Sequence, residues 1–168
     1  MKKELFDHLT FFISYFVFVA ISNGFYSLSY WPLYLGGIVG LFLAYSDHLL
    51  YIFVYNTQEL TSQRAILLAK NRQFKEIIIL LHDTWDERKN LIFHTVLFQI
   101  IFAVLTFWVV SSSVNLFARG LVLGYFLSLV IYNLKKFLKK ELILNDTDST
   151  RIYFAGQVLA LFIFGLLL

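Results

Sequence analysis

The chain has no cysteine and a single proline, Pro32, in 168 residues. Disulfides, thiolate zinc sites and a cysteine nucleophile are therefore excluded. Charge is scarce as well, with Asp, Glu, Lys and Arg making up only 15% of the residues. There is no G-x-S-x-G elbow, glycine-rich phosphate loop or H-E-x-x-H pair, so the familiar hydrolase and nucleotide-binding signatures do not apply. Nor do apolar and polar residues alternate in segments of about ten, as barrel strands do. What remains is largely hydrocarbon. Hydrophobic residues reach 59% and aromatics 19%, and the mean hydropathy is +0.71. Such a composition cannot cover a water-soluble surface, so lipid must be the solvent for much of the molecule. The expectation is an all-α, polytopic membrane protein forming a single helical domain. The formal net charge of +3 does not by itself point to nucleic acid.

Apolar segments run over about residues 5–21, 32–55, 90–110, 116–134 and 152–168. Pro32 suits the first turn of the second. The last, residues 152–168, is near the lower length limit for a span, so the bundle has four or five passes. The alternative for that segment is a helix packed beside the bundle or lying in the interface. "ISNGFYSLSYW" offers no small-residue cleavage site, and Asp7 and His8 interrupt the start of the first segment. That segment is therefore read as retained rather than as a signal peptide. With the N-terminus in the cytoplasm and five passes, all of the 14 basic residues except Arg119 fall on the cytoplasmic side. The positive-inside rule then places the C-terminus outside an inner (plasma) membrane of prokaryotic type. Tyr30, Trp31, Tyr34 and Trp108 form an outer aromatic belt.

Residues 56–89 form a polar, cytoplasmic helical hairpin. "NTQE", Asn56 to Glu59, reads as a capping box. Leu60, Leu67 and Leu68 make one apolar stripe, and Phe74, Ile77, Ile78, Leu81 and Trp85 a second. A hairpin of this kind packs against its own bundle or lies on anionic lipid through its basic residues, and the former is expected. The lysines from Lys135 to Lys140 read as a stop-transfer anchor.

Asp47 and His48 pose the sharpest question, because both sit inside an apolar run. At about 1.5 Å per residue, Asp47 lies on the order of 12 Å inside the cytoplasmic end of the second span, and His94 about 6 Å inside that end of the third. Asp7, His8, Ser128, Tyr132 and Asn133 occupy the same leaflet. Ionisable groups at this depth face the bundle interior, pair with one another, or mark a site. One carboxylate with imidazoles suits zinc, iron or manganese, with Glu87 or His82 as further donors. The simpler alternative, which the sequence favours, is a buried Asp47–histidine pair that locks the bundle. Asp47 and His48 point about 100° apart on a regular helix, so serving one metal together needs a distortion. Gly36, Gly37 and Gly40 place a G-x-x-x-G packing face on the second span, for another helix of the chain or of a dimer.

The "DH" at Asp47–His48 and "ERKNLIFHT", Glu87 to Thr95, resemble the D-x-D-H and H-R-x-x-T-H-S elements of the LexA-regulated inner-membrane metal-dependent hydrolases. The resemblance covers about residues 33–133. It implies metal-ligand roles for Asp47, His48 and His94, and contact of Arg88 with an anionic substrate. Tyr45 stands where the family's first aspartate is expected, and Ser128 and Tyr132 stand in place of its later His and Asp. Two functional classes follow. The first is a structural or accessory membrane protein that associates with itself or with other membrane proteins, through the Gly36/Gly40 face, its aromatic surfaces or the hairpin. The second is a metal-dependent hydrolase acting at the cytoplasmic interface on a lipid-like or phosphate-bearing substrate.

Overall fold

The computed structural model describes residues 2–44, 46–84, 91–139, 143–144 and 147–168. Among them every regular element is helical. Helix α1 (Lys2–Asn23) leads through a 3-10 turn at Leu28–Tyr30 into α2 (Trp31–Leu43). A short α3 (Ser46–Leu50) continues the same span and ends in a π-helical turn, Tyr51–Tyr55. The hairpin comprises α4 (Leu60–Lys70) and α5 (Phe74–Asp83), and a 3-10 turn at Ile92–His94 precedes α6 (Val96–Ser112). Helices α7 (Leu116–Leu138) and α8 (Thr147–Leu166) complete the chain.

Among the described residues, four stretches are long and apolar enough to cross a membrane: Phe6–Asn23, Leu28–Tyr55, Leu116–Leu138 and Thr147–Leu166. The last is a full 20 residues because its helix begins at Thr147, ahead of the expected residue 152. Helix α6, by contrast, is a shorter apolar helix of 17 residues. It starts at Val96 because the Thr95 hydroxyl accepts from the Phe98 N–H as an N-cap. The hairpin also starts later than the capping box suggests. The Asn56 N–H closes the π turn on Tyr51 at 2.8 Å, and the Glu59 carboxylate accepts from the Tyr51 hydroxyl at 2.8 Å. Both residues are thereby tied to the span, and α4 begins at Leu60.

The passes alternate in direction. Tyr15 donates to the Leu161 carbonyl at 2.9 Å and Asn23 to that of Gly165 at 2.8 Å, so α1 and α8 run parallel. Gly36 meets Phe117 while Gly40 meets Leu121 and Tyr125, so α2 and α7 are parallel as well. Residues at the start of α6 meet the end of α7, which makes that pair antiparallel.

The α2–α7 contact is backbone on backbone. A Cβ at Gly36 would collide with the Phe117 carbonyl oxygen, and one at Gly40 with that of Leu121. The fit is reciprocal: a Cβ at Gly120 would strike the Leu33 carbonyl, and one at Gly124 that of Gly37. The Gly36/Gly40 face is therefore filled within the chain and is not an outward association face. Around this pair Phe12, Phe16, Leu33, Leu41, Leu123, Phe126 and Leu127 form the main core. The Phe16 ring lies directly over Gly37.

The α4–α5 turn is a Schellman closure. Gln73 N–H bonds to the Leu68 carbonyl at 2.9 Å, and Arg72 N–H to that of Ala69 at 3.0 Å. The residue between cap and second bond usually is glycine, yet here it is Arg72, with φ at 59°.

Two outcomes follow from this packing. Gly40→Ala or Gly124→Ala should destabilise the detergent-solubilised protein by about 1–3 kcal/mol or prevent folding, since a carbonyl cannot swing aside as a side chain can. Gly156, with nothing within 4 Å of an added Cβ, serves as control, and its Ala variant should be neutral or up to about 1 kcal/mol more stable. Arg72→Gly should relieve the left-handed strain and stabilise the hairpin by up to about 1 kcal/mol, read by hydrogen exchange across α4 and α5.

Candidate functional site

Asp47 and His94 meet. Oδ2 of Asp47 accepts from the Phe93 N–H at 2.8 Å and lies 3.0 Å from His94 Nδ1. An ionised carboxylate only accepts hydrogen bonds, so beside it the imidazole donates from Nδ1. Asp47 is 1% exposed and the His94 side chain 8%. The carboxylate is thus removed from water and held by two donors, the arrangement that makes burying it tolerable.

The pairing sits on the irregular end of the second span. Between α2 and the π turn, the short α3 carries Asp47 in its first turn and His48 next to it, and both are buried. Adjacent residues on a regular helix look in different directions, so both are covered only because neighbours close in from two sides. The His48 and His94 ring centroids lie 6.1 Å apart. His94 also rests on the Tyr132 ring, 4.1 Å between centroids, and the Lys136 ammonium sits 4.9 Å above that ring's centre. The expected shared depth of Asp47, His94 and Tyr132 is therefore real contact. His8 belongs to the same end but to another neighbour, its Nδ1 lying 3.5 Å from Lys135 Nζ.

A second polar centre lies beside the first. Gln99 Oε1 accepts from Asn133 Nδ2, Tyr153 Oη and Gln157 Nε2, each at 2.7 Å. Asn133 also donates to Gln157 Oε1 at 2.6 Å, and Gln99 Nε2 donates to the His94 carbonyl at 3.1 Å. Helices α6, α7 and α8 are thereby cross-linked, and the network is joined to the Asp47–His94 pair through one backbone carbonyl. Asn133 was in view from sequence, but Gln99, Tyr153 and Gln157 were not. The signal was present: "LFQII" and "AGQVLALF" each carry one amide in an otherwise apolar run.

An apolar crevice of about 270 Å³ opens nearby, lined by Leu43, Ser46, Phe93, Phe98, Phe102, Leu121 and Tyr125. The Tyr125 hydroxyl is buried and has no hydrogen-bond partner among the described residues.

Among the described residues, no three His, Cys, Asp or Glu side chains gather in a way that holds a metal ion. Arg88 and Glu87 lie outside the described residues, as does the side chain of His82. What the described groups do chemically is narrower. A carboxylate on Nδ1 orients an imidazole and holds its ring in place.

Gln99→Leu should lower thermal stability by about 1–2 kcal/mol, because three donors lose one acceptor inside the bundle. Tyr153→Phe, which removes one donor from an oxygen that keeps two, should cost less; unfolding in mild detergent ranks the two.

Comparison of the chain with protein-family models, with curated proteins and with solved structures gives no match.

Proposed function

We propose that this chain is an accessory or structural integral membrane protein that works by association, with copies of itself or with other membrane proteins. The observation that carries this reading is where its buried polar groups are used. Asp47 is spent on His94 and on the Phe93 N–H, and Gln99, Asn133, Tyr153 and Gln157 are spent on one another. These bonds lock helices together. The outward surface is apolar: Leu97, Ile101, Val104 and Trp108 stand exposed along α6. With the Gly36/Gly40 face taken by α7, association runs through such helix faces or through the hairpin. The distribution of basic residues supports an inner (plasma) membrane location with the N-terminus and hairpin in the cytoplasm.

One observation favours a second reading. An aspartate on His94 Nδ1, with His48 close by, is how a protein orients an imidazole toward a metal or as a base. Residues near Arg88 would then complete a metal-dependent hydrolase at the cytoplasmic interface, as the resemblance implies, with zinc, iron or manganese bound.

The two readings separate in one preparation. The accessory reading expects an oligomer or a co-purifying membrane protein by native mass spectrometry. It further expects Asp47→Asn and His94→Ala to lose about 1–3 kcal/mol of stability while metal content stays unchanged. Near-stoichiometric metal in the parent, absent from both folded variants by elemental analysis, would replace it with the hydrolase. A strict monomer that cross-links to nothing in native membranes would remove the accessory reading.

A further inference from the structure

We infer that the tip of the hairpin, residues 64–75, is a seat for anionic lipid headgroups beside the protein's own spans. Arg64, Lys70, Arg72 and Lys75 fall in this stretch, which contains no Asp or Glu. All four are exposed, and none is paired to an acid among the described residues. The hairpin's described acids lie outside the stretch, with Glu59 held by Tyr51 and Glu76 and Asp83 further along α5.

Charge alone would also suit water. Apolar side chains, however, stand among the basic ones. Leu67 is 59% exposed and Phe74 64%. On α4 the positions Leu60, Arg64, Leu67 and Asn71 follow helical spacing, so apolar and basic groups share the outward face. Ser62 and Ala65, on the opposite face, are fully buried. A face that mixes large apolar residues with basic ones is what inserts shallowly into a headgroup layer.

Position decides the occupant. Ala65, midway along α4, packs on Tyr51 and Ile52, with Leu80, Leu81 and Leu91 around them. Tyr51 and Ile52 belong to the span, close to its end at Tyr55. Helix α4 therefore folds back beside the end of the span instead of projecting away, and its outward face lies at headgroup depth. An acidic protein partner would have to reach that depth, whereas lipid is already there. The turn adds a further sign. Arg72 holds the left-handed position that glycine would occupy without strain, so a cation is kept at the tip against its backbone preference.

The chain has no cysteine, so one introduced label is unique. The full-length protein, labelled with a solvatochromic dye at Asn71→Cys, and separately at Gln73→Cys, is placed in nanodiscs of phosphatidylcholine with and without phosphatidylglycerol. The expected result is a blue-shifted emission with phosphatidylglycerol only, reversed by high salt. Combining Arg64→Gln, Lys70→Gln, Arg72→Asn and Lys75→Gln should lower the seated-to-free ratio about a hundredfold or more, at about fivefold per basic residue. Asn tolerates the left-handed turn, and unchanged thermal unfolding of this variant confirms its fold. Leu67→Ser with Phe74→Ser should weaken the shift and keep its salt dependence. Emission identical in the two discs, or indifferent to salt and to loss of the four charges, overturns the proposal. So does a shift that appears only on adding another protein.

Discussion

The whole bundle depends on two helix backbones touching. In lipid there is little hydrophobic gain from bringing helices together, so association rests on close van der Waals contact and on hydrogen bonds. Helices α2 and α7 reach that contact because Gly36 and Gly40 face carbonyls of α7, while Gly120 and Gly124 face carbonyls of α2. No side chain intervenes, so the pair is fixed in register and tilt. The other passes are then arranged on a rigid base. Helix α1 lays Phe12 and Phe16 over Gly37, and α8 follows α1 through Tyr15 and Asn23.

On that base, polar groups supply the specificity that packing lacks. A leucine-rich interface tolerates slippage, but Gln99 reaches Asn133, Tyr153 and Gln157 only in one register of α6 against α7 and α8. The same Gln99 holds the His94 carbonyl, and His94 holds Asp47. One hydrogen-bonded path therefore runs from α8 to the broken end of the second span. Helix α6, an apolar helix of 17 residues, is secured by this path and by its Thr95 cap.

Much of this was legible in the sequence, and the exceptions have physical reasons. Composition, with the absence of alternating strand-like segments, points to an all-α membrane bundle, because backbone groups in lipid must be satisfied internally. The common depth of Asp47 and His94 put them within reach of each other without showing that they meet; the structure pairs them. The Phe93 N–H that completes the carboxylate's shell was invisible, since every residue carries the same backbone donor. Gly36 and Gly40 were read as a packing face, but their partner was not, although "GLVLG" from Gly120 to Gly124 repeats the spacing. The Schellman turn at Arg72 was hidden because its usual marker, glycine, is absent. The Glu59 cap was misplaced because Tyr51, eight residues earlier, competes for the same carboxylate.

The break in the second span explains why the hairpin is more than an appendage. Adjacent helical residues point about 100° apart, so Asp47 and His48 are both buried only because neighbours close in from two sides. Beyond α3 the span loosens into the π turn Tyr51–Tyr55, at the expense of regular backbone bonding. Something must cover that irregular stretch. The hairpin does so, with Ala65 against Tyr51 and Ile52 and Glu59 on the Tyr51 hydroxyl. Helix α4 therefore has two obligations that fix its orientation. Its Ser62–Ala65 side must close over the span, and that leaves Leu60, Arg64 and Leu67 facing outward.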